Sequence, residues 1–138
     1  MKKVLFGLMG LMLSGVAMSG DIPRSAAPAG AEAYIISPKD GETVTSPVTV
    51  RFGLKGMGVA PAGTVRDNTG HHHLLIDRDA PDMGMPMGKD VQHFGGGQTQ
   101  TAVELSPGKH TLQLLLGDHA HVPHDPPVLS EKITITVK

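Results

Sequence analysis

Seven of the eight histidines lie at three places along the chain. They are the run His71–His73, the single His93, and a third group formed by His119, His121 and His124. A neutral imidazole offers one nitrogen lone pair, so several rings that converge on one point suit copper, zinc or nickel. These positions fall at predicted loops and strand edges, and they predict a metal site assembled from separate segments.

The His119-x-His121 pair has the most specific spacing of the three groups. In an extended backbone, residues two apart point to the same side and lie about 6 to 7 Å apart at their Cα atoms. That is the geometry of a chelate. His124 follows closely, and Asp118 and Asp125 are candidates to orient the free ring nitrogens.

Strand alternation divides the triple histidine run. His72 is in phase with Leu74 and is predicted to point inward, whereas His71 and His73 share the opposite face. The alternative interpretation is a solvated strand edge with one ring bonded to a backbone carbonyl. His93 precedes three glycines, for which a sharp bend between strands is an equally good explanation. The predicted ligands are His71, His73, His93, His119, His121 and His124.

A methionine-rich segment bears on the choice of metal. Met83, Met85 and Met87 alternate along the chain, and soft thioethers favour Cu(I) over Zn(II). The alternative is that these side chains only fill gaps in the core or belong to a mobile loop. Copper is the predicted metal, and zinc is the alternative.

The composition excludes several other classes of protein. The 138 residues include no cysteine, which removes disulfides, thiolate ligation of copper, iron-sulfur clusters and thiol catalysis. The 12 basic and 13 acidic residues are well mixed, and there are three Phe, one Tyr and no Trp. A nucleic-acid partner is therefore not expected.

The first part of the chain predicts export. Residues 1–19 resemble a signal peptide, with Lys2 and Lys3 before an apolar stretch and a small-x-small cleavage site at 17–19. The apolar stretch is shorter than the roughly 20 residues that a membrane-spanning helix needs. Residues 20–33 are rich in Ala, Pro, Gly and Ser and predict a flexible tether. Residues 34–138 form the predicted folded domain, and the predicted location is the periplasm.

Short apolar stretches separated by Gly, Pro and Asp predict a fold made only of strands. The expected fold is an antiparallel, immunoglobulin-like Greek-key sandwich of about seven strands. In that topology the three histidine groups meet at one end of the sandwich, whereas His110 lies at the opposite end and is predicted not to be a ligand. The predicted strands are 33–37, 47–54, 72–77, 99–105, 110–117 and 130–137.

Several long motifs resemble those of a family of small exported bacterial proteins known as a domain of unknown function. The likeness covers Ile36 to Val137, and its motifs are GHHHLLID (70–77), HFGGGQTQ (93–100), SPGKHTLQLLLGDHAHVPHDPPV (106–128) and the closing SEKITITV. Since the family lacks an assigned activity, the resemblance implies little about function. The methionine-rich segment departs from the family pattern, which tends to carry Leu and Ile there. A looser likeness, over residues 37–52, is to the opening of the periplasmic copper-resistance chaperones, which are also β-sandwiches.

Three functional hypotheses follow from the sequence. The first is a periplasmic protein that captures copper or zinc and exchanges it with another metal-handling protein, with an affinity that falls steeply below about pH 6.5 as protons compete. The second is a non-metal interaction module of the cell envelope, in which the histidines form a structural hydrogen-bonded network. The third and less favoured is a copper/zinc redox enzyme. Copper/zinc superoxide dismutases use His-x-His on a Greek-key sandwich, but this chain lacks their cysteine pair.

Overall fold

The computed structural model describes residues 22–138, and the predicted signal peptide lies outside them. No helix among the described residues is long and apolar enough to cross a membrane. The strands, in chain order, are β1 (Glu32–Ser37), β2 (Thr43–Val44), β3 (Val48–Lys55), β4 (Gly58–Val59), β5 (Thr69–Ile76), β6 (Gln92–His93), β7 (Gln100–Val103), β8 (Gly108–Gly117) and β9 (Ile133–Val137).

Two sheets make up the domain. The first has the order β1-β3-β7, and the second has the order β2-β9-β8-β5-β4, with β6 also paired to β5. This division of strands between two layers is that of an immunoglobulin-like sandwich, so the predicted all-β sandwich is confirmed. The short pairs β2–β9 and β4–β5 are parallel, which makes the second sheet mixed at its edges.

The main core lies between the two sheets and follows the period-two pattern of the sequence. Leu112, Leu114 and Leu116 of β8 are fully buried on the inner face of the second sheet. They pack in one cluster with Val50 and Phe52, which come from β3 of the first sheet. Each of the six predicted strands corresponds to an observed one, with ends that differ by a few residues.

The outer face of the second sheet carries a second, smaller core. Leu75 of β5 and Leu115 of β8 pack there against Met87 and Val91, which belong to the connection between β5 and β7. Because this sheet is covered on both faces, every residue of β8 from Leu112 onward is buried. His71 and His73 lie on this covered outer face.

The segment before β1 is bonded to the loop that follows β8. The Ala27 N–H donates to the Asp125 carbonyl at 3.0 Å, and the Asp125 N–H donates to the Ser25 carbonyl at 2.9 Å. Arg24 Nε donates to the Pro123 carbonyl at 3.1 Å. The sequence assigns these residues to a flexible tether; in the structure they lie along the 118–125 loop.

His110 lies at the opposite end of the sandwich from the other histidines, as predicted. Its Nδ1 is 2.6 Å from Asp77 Oδ2, and its Nε2 is 2.7 Å from the Ser106 carbonyl oxygen. Both partners are acceptors, so only the protonated imidazolium donates to both at once. The hydrogen bond to Asp77, with that to Ser106, raises the pKa of His110. Burial acts to raise the pKa of Asp77, but the hydrogen bonds from His110 and the Thr111 N–H outweigh it and lower that pKa.

This pair predicts a stability contribution that depends on pH. Because the folded-state pKa of His110 is raised, the contribution is fully present below the ordinary value of about 6.5 and is lost as pH rises through the folded pKa. We expect His110→Ala to lower the free energy of unfolding more at pH 5.5 than at pH 9. The difference should be at most about 1 kcal/mol, since Asp77 is half-exposed. Equal losses at the two pH values, measured by thermal unfolding followed by circular dichroism, would contradict the assignment.

Candidate metal site

The register of β5 separates its three histidines between the two faces of the sheet. His71 pairs with Gly117 of β8 and His73 pairs with Leu115, so both rings stand on the outer face. His72 lies on the inner face, where its ring centroid is 5.1 Å from that of Phe52. All three side chains are buried. Alternation along one strand thus places two rings at the site and one ring in the main core, as the sequence predicts.

His93 reaches the same place through a short strand. β6 pairs antiparallel with the edge of β5 that faces away from β8, and His93 lies directly opposite His73. Their ring centroids are 5.3 Å apart. Gly95 lies close to this ring, because a Cβ there would be 2.3 Å from His93 Cε1. A glycine at 95 therefore leaves room for the imidazole, which is the exposed member of the group.

His121 lies in the loop that follows β8. Asp118 Oδ1 accepts hydrogen bonds from the Ala120 N–H at 2.9 Å and the Val122 N–H at 3.0 Å, and the His121 N–H donates to the Asp118 carbonyl at 3.0 Å. Burial acts to raise the pKa of Asp118, but the hydrogen bonds from Ser25 and these N–H groups outweigh it and lower that pKa. The ionised carboxylate therefore organises the loop backbone, and it does not orient a ring as the sequence suggested.

The four rings form a compact cluster. Their centroids are 4.5 Å apart for His93 and His121, 4.7 Å for His71 and His73, and at most 5.9 Å for His73 and His121. One nitrogen of each ring can be chosen so that all four atoms lie within 4.8 Å of one another. Nitrogens bound to a tetrahedral zinc at 2.0–2.1 Å are about 3.3 Å apart. A small inward movement of the rings would therefore suffice to hold an ion.

The buried ring nitrogens lack hydrogen-bond partners. Among residues 22–138, no hydrogen-bond partner is found for either ring nitrogen of His71, for either ring nitrogen of His73, or for Nδ1 of His121. A buried polar group without a partner costs about 1–3 kcal/mol, and such groups are uncommon in folded proteins. Several of them facing one another form an arrangement that a bound cation would satisfy.

Three of the clustered rings, His71, His73 and His121, have a lowered pKa and are neutral at physiological pH. Burial, with further contributions from the neighbouring imidazoles, lowers the pKa of His73 to about 3 and that of His71 to about 4. Burial also lowers the pKa of His121, and the proximity of His93 adds to this. Neutral imidazole is the form that ligates a metal, so at least these three rings have a lone pair to offer at pH 7.

Two of the six predicted ligands lie elsewhere. His119 is exposed, and His124 is buried with its Nε2 donating to the Thr69 carbonyl at 3.1 Å. Both line a separate cleft of about 410 Å³. The His-x-His pair is split because His121 has a φ of 67°, the left-handed region, so the backbone is not extended as chelation by adjacent rings would require. Asp125 lies 3.7 Å from Arg24 and orients none of the four clustered rings.

Gly117 is a part of the site that the sequence analysis missed. It ends β8 directly opposite His71, and a Cβ at this position would be 2.6 Å from His73 Cε1 and 2.9 Å from Met87 Cε. Because Gly117 has no side chain, the His73 ring packs directly against its backbone. The sequence feature that could have identified Gly117 is its position at the end of a predicted strand, if that strand is paired with the histidine run.

The model of the domain of unknown function DUF4399 matches residues 50–138. This range contains all four clustered histidines, together with Gly117. No curated protein and no solved structure gives a significant match to the chain. The resemblance to copper-resistance chaperones over residues 37–52 stays an expectation.

A methyl group at Gly117 should disturb the cluster selectively. We expect Gly117→Ala to displace the His73 ring and to weaken binding of Zn(II) by about tenfold or more, a loss of the size that follows when groups orienting a ligand are removed. Gly58→Ala is the matched control, because a Cβ there meets only Thr69 Cγ2 at 3.7 Å. Calorimetric titration of both variants measures the affinity. An unchanged affinity in Gly117→Ala would contradict the expected displacement of the His73 ring.

Proposed function

The chain belongs to the DUF4399 family, a domain of unknown function, and we propose from the site itself that it is an exported protein of the cell envelope that reversibly captures a metal ion. The metal is copper, with zinc as the alternative. One observation carries the proposal: four imidazoles from three segments present nitrogens within 4.8 Å of one another. The proposed ligands are His71, His73, His93 and His121.

The state of the ring nitrogens favours metal binding over a structural network. A hydrogen-bonded histidine network would pair the ring nitrogens with carbonyl, carboxylate or hydroxyl groups. His110 shows such pairing, with an acceptor at each nitrogen. His71 and His73, by contrast, are buried and without hydrogen-bond partners among the described residues. His72 also lacks partners, but it packs against Phe52 in the main core, and only the nitrogens of His71 and His73 converge with those of other rings. The two environments in one chain support different roles for these histidines.

The donor set supports the choice of metal. Four neutral imidazoles suit copper and zinc, and copper(II) binds most nitrogen sites more tightly than zinc(II) does. Hard cations such as magnesium and calcium prefer oxygen ligands, and no carboxylate of the described residues joins the group of four. We therefore place copper first.

The number of ligands favours capture over catalysis. Catalytic zinc sites keep three protein ligands and leave one position for water or substrate, whereas four protein ligands complete a tetrahedral site. The site is nevertheless accessible, because His93 and His121 line a surface cleft of about 450 Å³. A closed donor set beside an open cleft suits reversible capture and transfer to another metal-handling protein. The signal peptide predicted from the sequence supports a periplasmic location for this exchange.

Removal of single ligands should identify the site. Even a group that only orients a ligand contributes about 10- to 100-fold to metal affinity. We therefore expect His73→Ala and His121→Ala each to weaken Cu(II) binding by at least about 100-fold. His119→Ala is the matched control, an exposed histidine two residues from His121, and should bind as the parent does. Isothermal titration calorimetry of the three variants is the measurement. A parent-like affinity in His121→Ala, or a loss in His119→Ala, would sink the ligand assignment.

Proton release should reveal the buried rings. Four imidazoles with the ordinary pKa of about 6.5 would release between about three and four protons per ion bound at pH 5.5. Because burial lowers the pKa of His71 to about 4 and of His73 to about 3, these two rings are already neutral at that pH. We expect release of at most about two protons, and a fall in affinity that is shallower than ordinary imidazole values predict. Calorimetry in buffers of different ionisation enthalpy counts the protons, and a count above three would contradict this account.

A further inference from the structure

Met87 is the one methionine of its loop that is buried, with 7 % of its surface exposed. It packs in the outer core beside Leu75 and Leu115, the neighbours in β5 and β8 of the histidine site. Its backbone N–H donates to the His121 carbonyl at 2.9 Å, so its position is fixed relative to one proposed ligand. Met83 is half-buried and Met85 is 52 % exposed.

The side chain of Met87 also lies beside the rings. A Cβ built on Gly117 would lie 2.9 Å from Met87 Cε and 2.6 Å from His73 Cε1. The methyl group of Met87 is therefore close to the His73 ring. The thioether sulfur is bonded directly to that methyl carbon. Met87 further shares the wall of the 450 Å³ cleft with His93 and His121. Three observations, the backbone hydrogen bond to His121, the position of Met87 Cε near His73 Cε1 and the shared cleft, therefore place the Met87 side chain beside the four-histidine cluster.

We propose that Met87 is a fifth, soft ligand of the site and that it gives the protein a binding mode for Cu(I). This rests on the proposed function, since it requires the histidine site. Thioether sulfur prefers Cu(I) and adds little for Zn(II), whereas imidazole suits both. A site with four imidazoles and one adjacent thioether can hold a cuprous ion through sulfur and some of the rings, and a cupric or zinc ion through the rings alone.

The geometry explains why the other methionines are not included. Met85 points largely to solvent, and Met83 packs against the outer core without lining the cleft. Hydrophobic packing alone would be satisfied by leucine at position 87, which has a similar volume and no sulfur. Met87→Leu therefore separates ligation from packing, and Met85→Leu is a matched control in the same loop.

The test compares Cu(I) and Zn(II) binding by the parent, Met87→Leu and Met85→Leu. Cu(I) is supplied anaerobically in competition with a chromophoric chelator, and Zn(II) is followed by calorimetry. We expect Met87→Leu to weaken Cu(I) binding by about tenfold or more and to leave Zn(II) binding within about twofold, as the softness of sulfur dictates. Met85→Leu should change neither. X-ray absorption of the Cu(I)-loaded parent should show a sulfur neighbour that is missing in Met87→Leu.

Two results would overturn the proposal. One is a Met87→Leu variant that holds Cu(I) as tightly as the parent, with only nitrogen around the ion. The other is an equal loss of Cu(I) and Zn(II) affinity, which would assign Met87 a packing role. Either result leaves the histidine site intact when the parent still binds Zn(II). A parent chain that binds neither ion would instead overturn the proposed function itself.

Discussion

The site depends on a single constraint: the imidazoles of His71 and His73 are buried on the outer face of a sheet with no hydrogen-bond partner among residues 22–138. Burial keeps both rings neutral, and the absence of partners keeps their lone pairs available. The arrangement is costly for the metal-free protein. In the unfolded chain these rings bind protons below about pH 6.5, whereas burial lowers their pKa to about 4 for His71 and about 3 for His73 in the folded chain, so acid destabilises the fold at this point. A cation that binds only the folded state would offset this cost.

The fold supplies the rigidity that such a site needs. β5 is paired on both edges, with β8 on one side and with β4 and β6 on the other. The connection after β5 returns over the outer face and buries Leu75, Met87 and Val91 there, beside the buried rings of His71 and His73. Asp118 then holds the last ring in place through a hydrogen-bonded turn, and Ser25 of the N-terminal segment bonds the same carboxylate at 2.8 Å. Two of the proposed ligands thus lie on a central strand, and two on segments attached to it.

The sequence predicted the strands and their faces well, because both are local properties. Alternation in β5 correctly separated His72 from its two neighbours, and the turn before β8 correctly placed His110 at the opposite end. The arrangement of the candidate site depends on features that are not local. The His119-x-His121 spacing implied a chelate only if the backbone was extended, and the turn formed by Asp118 puts His121 in the left-handed region instead. The role of Gly117 depends on the register between two strands, which no short motif encodes.

The central claim is that these four imidazoles, and no other histidines of the domain, bind the ion. Long-range proton–nitrogen NMR of the imidazole rings during a Zn(II) titration tests it most directly, because each ring reports separately. We predict that one ring nitrogen of His71, His73, His93 and His121 changes to the metal-bound chemical shift at one equivalent. The rings of His72, His110, His119 and His124 should keep their shifts. Metal-bound shifts at His119 or His124, or no change at His71 and His73, would contradict the account.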